Sequence, residues 1–198
     1  MTNSTNVTGV ILAGGLARRM NNQDKGLVIY KGQPLASYAI KAMAPLVTQT
    51  LLNANRNHEV YQQFGCPIIA DHADQFDGPL AGILAAMAAA KTEILLVMPC
   101  DSPLMTTRHL QRLLVKLEET QSDVAVAFDG ERLHPVFLAI KTTLQSSLQT
   151  YLDSGQRKIG IWLAQQNMFA VDFSDATEVF VNINTLSELA ALEAQQEH

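Results

Sequence analysis

Short continuous apolar runs alternate along this chain with stretches in which apolar residues recur at helical spacing. The run 7–13 is unbroken enough to be a buried strand, and it stops at Gly14-Gly15. After a short apolar piece at 27–30 and the turn pair Lys31-Gly32, Pro34 opens a helix whose stripe is Ala36, Ala39, Ile40 and Met43. Residues 47–52 read as a second strand ending at Asn53, a short helix covers 58–64, and 67–70 is a third strand ending at Asp71. Asp77-Gly78-Pro79 starts a helix with Leu80, Ile83, Leu84 and Met87 as its buried face. The stretch 93–98 has the pattern of a central strand covered on both faces, and it runs into Pro99-Cys-Asp-Ser-Pro103. Leu110, Leu113, Leu114 and Leu117 mark the next helix.

The second half is less regular. Residues 123–128 and 133–140 suggest a hairpin around Asp129-Gly-Glu-Arg132. Leu144, Leu148, Tyr151 and Leu152 share a helical face that stops at Gly155. A helix at 157–166, a strand at 168–173 and a short strand at 180–184 follow, and Thr185 with Glu188 caps a last helix. With no repeat, low-complexity segment or linker, the expectation is one α/β domain over 1–198. Its sheet should be mostly parallel and flanked by helices, with a late antiparallel excursion and a disordered end at 1–6.

Composition narrows the function classes. A chain of 198 residues buries about 70% of its extended surface, and 47% hydrophobic with 17% charged residues is an ordinary globular balance. No apolar run approaches the roughly 18 residues of a membrane span, and the polar, uncharged start lacks a signal-peptide pattern. A cytoplasmic protein without a membrane partner is expected. A net charge of −5 argues against a nucleic-acid partner but leaves room for a small basic pocket. Cys66 and Cys100 show no metal-ligand spacing and read as reduced core residues.

The first strand's end carries the chemistry. Gly14 and Gly15 let backbone N–H groups face an anion closely, and Arg18, Arg19 and Lys25 follow within a dozen residues. That order suits a phosphate-binding loop; an ordinary strand-to-helix turn with solvated arginines also fits. The third glycine of a dinucleotide-binding loop is missing, which disfavours an oxidoreductase. In open parallel sheets ligands bind outside the carboxyl ends of the strands, where Gly14, Gly15, Asn53, Asp71, Asp101, Asn182 and Asn184 are all expected. Asn and Asp are common at turns, yet polar residues at five strand ends on one rim point to a site. Asp101, pinned between Pro99 and Pro103, is placed either to hold Mg²⁺ or to cap the following helix.

Leu12-Ala-Gly-Gly, Arg19-Met20, Asp24-Lys25-Gly26, Asn53-Ala-Asn55, Gly78-Pro-Leu-Ala-Gly82, Pro99-Cys-Asp-Ser-Pro103, Gly130-Glu-Arg-x-His-Pro135 and Phe180-Val-Asn-Ile-Asn-Thr185 occur in order across almost the whole chain. In these motifs the chain resembles the bacterial molybdenum cofactor guanylyltransferases, the MobA family of nucleotidyltransferases. It departs at Asn21, where glycine is usual, and at Ala17, where serine or glycine is.

The resemblance implies a single Rossmann-like nucleotidyltransferase domain. It also implies transfer of GMP from GTP to the terminal phosphate of molybdenum-molybdopterin, with release of pyrophosphate. Arg19, Lys25 and the Gly14-Gly15 amides would hold the triphosphate, and Asp101 the Mg²⁺ cofactor. Leu12, Ala13, Gly14, Asn53 and Asp71 would contact the nucleoside, and Gly78, Asn182 and Asn184 would complete the site. Because the acceptor is already an anion, no strong base is needed. His134 is then structural or touches the acceptor, and Arg132, Arg157 and Lys158 either meet the pterin or lie on a solvated surface. A monomer is expected, in transient contact with other molybdenum cofactor proteins. The alternatives are a nucleotidyltransferase of the same fold using CTP or another acceptor phosphate, and a non-catalytic nucleotide sensor, which could do without a fixed metal carboxylate.

Overall fold

The computed structural model describes residues 6–14, 16–17, 23–71, 78–183, 185, 188 and 192. In chain order its elements are β1 (Val7–Leu12), β2 (Leu16–Ala17), β3 (Gln23–Asp24), β4 (Ile29–Tyr30), β5 (Gln33–Pro34), α1 (Leu35–Met43), β6 (Gln49–Asn53), α2 (His58–Gln62), β7 (Ile68–Ile69), α3 (Pro79–Ala89), β8 (Ile94–Pro99), α4 (Thr107–Thr120), β9 (Val124–Phe128), β10 (Leu133–Lys141), α5 (Gln145–Asp153), α6 (Ile159–Leu163) and β11 (Met168–Asp172).

A seven-stranded sheet in the order β11-β9-β10-β8-β1-β6-β7 forms the middle layer. Only β10 among these strands runs against its neighbours, so the antiparallel excursion is a single strand. β8 stands in the centre, and its side chains divide between two cores as a doubly covered strand requires. Leu96 and Met98 join the core that holds Ala39 and Met43 of α1 and Leu110 and Leu114 of α4. Leu95 and Val97 join the core with Leu80 and Ile83 of α3 and Leu148 and Leu152 of α5. Helix α3 is buried from Leu80 through Met87 without a break, because it is apolar on every side.

The turn signals hold. Lys31 and Gly32 both have positive φ (45° and 76°) and join β4 to β5 in a tight antiparallel hairpin. Pro34 precedes the first turn of α1, and Gly155 takes φ 80° just after α5. The β9–β10 hairpin contains a bulge: His134 pairs with Ala127 and Leu138 with Val126, so residues 135–137 have no partner on β9. Pro135, which has no N–H to give a ladder, lies in that bulge.

Two expectations require correction. Of the strand expected at 180–184, the described residues 180–183 form none, and Asn184 lies outside the described residues. A 3-10 turn spans Thr177–Phe180, and among residues 181–183 the recorded backbone bond to the sheet region is Ile183 N–H to the Asp101 carbonyl at 3.0 Å. Phe180 turns into an aromatic cluster with His134, Phe137 and Phe173, and burying that ring sets the local backbone in place of alternation. The helix expected at 157–166 is shortened to α6, because Gln165 and Gln166 close it with 3-10-type bonds to Trp162 and Leu163.

Candidate active site

The chain leaves β1 toward β6 and β7 on one side and returns to place β8 on the other. Strand order therefore reverses between β1 and β8, and a crevice outside the carboxyl ends is expected there. Leu12 and Pro99 are register partners at that end, and the Cys100 N–H extends the ladder to the Leu12 carbonyl at 3.1 Å. Gly14 and Asp101 leave the sheet side by side from this pair. The thiol of Cys100 points into the core, and burial, then the neighbouring Asp101 carboxylate, pushes its pKa well up, leaving a neutral core residue as expected.

Lys25 and Asp101, 76 residues apart in sequence, meet here: Lys25 Nζ donates to Asp101 Oδ2 at 2.8 Å. The other oxygen, Oδ1, is buried and has no hydrogen-bond partner. An unpartnered carboxylate oxygen in a buried place needs a donor or a cation to offset its desolvation. Asp101 does not cap α4, since that role belongs to Thr106, whose N–H donates to His109 Nδ1 at 3.3 Å. Among the described residues no group of three or more His, Cys, Asp or Glu could enclose a metal. A lone carboxylate suits an ion such as Mg²⁺, which keeps several waters and needs only one or two carboxylates from a protein. Of the other residues expected here, Arg18, Gly15 and Arg19 lie outside the described residues.

On the β6 side the polar residues close into a network. Asn53 Nδ2 and Asn55 Nδ2 donate to the two carboxylate oxygens of Asp71 at 2.9 and 2.8 Å, and the Asp71 N–H donates to Asn55 Oδ1 at 2.9 Å. Ala13 joins through its N–H to the Asn53 carbonyl at 2.9 Å. A Cβ on Gly14 would stand 3.4 Å from Asn55 Nδ2, so backbone and amides line one wall. Gly82 of α3 is required for this arrangement: a Cβ there would fall 2.3 Å from Asn53 Oδ1 and 3.0 Å from a Leu12 methyl. Gly78 caps the start of α3 at φ 71°, in the left-handed region that glycine enters freely, and a Cβ at this position would meet no atom within 4 Å.

The β10 side is organised by different contacts. Ser102 Oγ donates to Asn182 Oδ1 at 2.5 Å, tying the segment after the 3-10 turn to the residue beyond Asp101. Asn182 lies outside any strand, and Asn184 lies outside the described residues. His134 is structural in its contacts: its Nε2 is 2.6 Å from Asp129 Oδ2 and its ring stacks on Phe180 at 3.8 Å. Asp129 is held well below the usual carboxylate range by the Arg132 N–H first, then by His134 and the Glu131 N–H. Arg157 donates to the Leu152 and Gln156 carbonyls at 2.7 and 2.8 Å, closing the end of α5. Arg132 is largely exposed and lies 3.7 Å from Asp129.

The structure adds residues that were not among the expected site residues. Asp24 is buried and forms an ion pair with Arg56, while Asn57 Nδ2 donates to its other oxygen at 2.7 Å. Asp24, Asn55 and Ser102 stood inside recognisable motifs, but Arg56 and Asn57 carry no sequence signal beyond adjacency to such a motif.

The comparisons with known proteins bear on the family and the fold. The family described as "MobA-like NTP transferase domain" matches residues 9–168. A protein of Shewanella sediminis named molybdenum cofactor guanylyltransferase is 46% identical over 182 residues, covering 92% of this chain and 93% of its own. One of the same name from Shewanella loihica is 45% identical with the same coverage. The crystal structure of molybdopterin-guanine dinucleotide biosynthesis protein A from Archaeoglobus fulgidus superposes with a TM-score of 0.81 at 22% identity, covering 96% of this chain and 98% of that one, and so supports the fold.

Proposed function

The chain belongs to the MobA-like NTP transferase family, and on that footing we propose that it transfers GMP from GTP to the terminal phosphate of molybdenum-molybdopterin, yielding the guanine dinucleotide cofactor and pyrophosphate. The observation that carries this reading is Asp101 at the β1/β8 crevice, one oxygen on Lys25 and the other buried without a partner. In the reaction an oxygen of the acceptor phosphate bonds to the α-phosphorus of GTP, and the bond from that phosphorus to the bridging oxygen of the leaving pyrophosphate breaks. The attacking group is already an anion, so the chain need only align it and neutralise charge. Lys25 supplies a cation beside the triphosphate, with Arg19 and the N–H groups of Gly14 and Gly15 as further phosphate donors. Asp101 is the residue that would hold Mg²⁺, which when bound offsets charge on the phosphoryl oxygens. Leu12, Ala13, Asn53 and Asp71 are assigned to the nucleoside and Gly78 to the start of the helix beside them, while Asn182 with Ser102, and Asn184, are assigned to the acceptor.

The activity is a cytoplasmic one in this reading, and a monomer suffices for it because every residue invoked belongs to one chain. No helix among the described residues is long and apolar enough to cross a membrane. The deciding experiment incubates the chain with GTP, Mg²⁺ and molybdenum-molybdopterin and follows pyrophosphate together with the dinucleotide. Formation of both in equal amounts is expected. Pyrophosphate formed without any acceptor, or GTP bound but never consumed, would remove the assignment.

A further inference from the structure

Lys25 must present its ammonium toward Asp101 from a segment with little regular structure, a three-residue 3-10 turn following the two-residue strand β3. Both of its chain neighbours are fastened to the same short stretch. On one side, the buried Asp24 carboxylate pairs with Arg56 and accepts from Asn57. On the other, Gly26 packs on Tyr61 so closely that a Cβ would stand 2.7 Å from the phenolic oxygen. That hydroxyl is itself buried without a partner, and burial, the largest cause, raises its pKa. Residues 56–61 thus grip the chain immediately before and after Lys25. Immediately before this stretch stand Asn53 and Asn55, whose amides hold Asp71.

We propose that Asp24 is a positioning residue: clamped by Arg56 and Asn57, it fixes the adjacent Lys25 where its ammonium meets both Asp101 and the triphosphate of GTP. This deepens the nucleotidyl-transfer reading and rests on it. Asp24 touches neither substrate nor metal and acts through Lys25. A buried carboxylate suits the task, because its two oxygens accept from two side chains of one loop and define its position from two directions. Its charge is balanced locally by the Arg56 guanidinium, so it does not itself repel phosphate from the crevice. Because residues 53–61 hold Asp71 through Asn53 and Asn55 and Asp24 through Arg56 and Asn57, the nucleoside wall and the cation share one support.

The test is a double-mutant cycle on GTP affinity, measured by calorimetry with Mg²⁺ on the full chain. Asp24→Asn is expected to weaken GTP about tenfold, and to weaken it less than about twofold in a Lys25→Met background, because the cation it positions is already gone. A merely structural Asp24 would lower the melting temperature in both backgrounds and leave the affinity of the folded protein alone. Equal losses in the two backgrounds, unchanged affinity, or tighter binding in Asp24→Asn would each overturn the proposal. Should Asp24→Asn fail to fold, Asn57→Gly serves instead. Asn57 has φ 52°, which glycine adopts without strain, so that change deletes one clamp bond and keeps the backbone. Turnover by the unaltered chain is scored separately. Coupling between Asp24 and Lys25 without GMP transfer would support the positioning role and remove the parent reading.

Discussion

At the scale of single residues, the Lys25–Asp101 pair decides what the crevice is able to do. Asp101 uses one oxygen on Lys25 and leaves the other buried and unpartnered. Replacing it with alanine removes the proposed metal ligand while leaving the α4 cap, which belongs to Thr106, intact. Asp101→Ala is therefore expected to lower Mg²⁺-dependent GMP transfer about 1,000-fold. The change also removes a buried carboxylate with one unpartnered oxygen, and Lys25 stays partly exposed to water, so the lost ion pair is offset and the melting curve should move little. Circular dichroism and turnover on one preparation check both halves; turnover near the unaltered level would take Asp101 out of the site. Asn182 offers a complementary test on the acceptor side. Asn182→Asp keeps an oxygen for the Ser102 hydroxyl but adds a negative charge at the proposed acceptor side. Mg²⁺-GTP affinity should stay within about twofold while transfer falls about 100-fold through repulsion and lost alignment. Weakened GTP binding with normal turnover at saturation would move Asn182 to the nucleotide side. Asp101 was legible in the sequence because prolines flank it after a long apolar run. Its meeting with Lys25, 76 residues away, was not, since no periodicity encodes which loops share a rim.

At the scale of elements, regular patterns were legible and locally packed ones were not. β8 and α3 came through because a continuous apolar run and a Gly-Pro start each have few alternative folds. The stretch after Phe180 misled because Val181 and Ile183 alternate with asparagines as in a strand, whereas the stack of Phe180 on His134 governs the backbone there. Gly82 looked like an ordinary member of a Gly-Pro-Leu-Ala-Gly motif, and only the packed structure shows it making room for Asn53. Alanine there favours the helix by about 1 kcal/mol yet places a carbon 2.3 Å from Asn53 Oδ1. Gly82→Ala should therefore weaken GTP about tenfold through the displaced Asn53–Asp71 bond. Calorimetry and a thermal melt should separate this loss from any general loss of stability. Helix α4 supplies a pH test. His109 accepts the Thr106 N–H on Nδ1, and burial, then the Arg112 charge, lowers its pKa below the usual 6.5. The unfolded chain then binds the proton more readily, so this contribution to stability is full above about pH 6.5 and is lost as pH falls through the depressed folded value. His109→Gln keeps a side chain able to complete the cap and does not titrate. Its melting temperature should fall less than that of the unaltered chain between pH 7.5 and pH 5.

At the scale of the whole molecule, the sheet order sets two kinds of surface on either side of the β1/β8 crevice. Toward β6 and β7 lie Gly14, Asn53, Asn55 and Asp71, a wall of amides and a carboxylate. Toward β10 lie Ser102, Asn182 and the His134–Phe180 stack. That a polar rim would exist was legible from where apolar runs end; which base the first wall selects is not given by the fold, since selection depends on which lone pairs stay open. Asp71 receives one amide hydrogen on each oxygen, leaving each with further acceptor capacity toward the crevice. Guanine presents its ring N–H and amino group as adjacent donors, which a carboxylate can accept together. Adenine and cytosine each offer an amino donor next to a ring acceptor, and that acceptor would face the carboxylate with no hydrogen between them. A wall of this kind should reject them strongly, because mispairing leaves buried polar groups unsatisfied. With Mg²⁺ and GTP at about 100 times its dissociation constant, linkage stabilises the chain by about 2.7 kcal/mol. For a domain of this length that corresponds to a rise in melting temperature of about 5–10 °C. At the same concentration ATP and CTP should each raise it by less than about half as much, and Asp71→Asn should narrow the gap by exchanging an acceptor for a donor. Equal stabilisation by GTP, ATP, CTP and UTP would defeat the guanine assignment and leave nucleotidyl transfer standing with a different base.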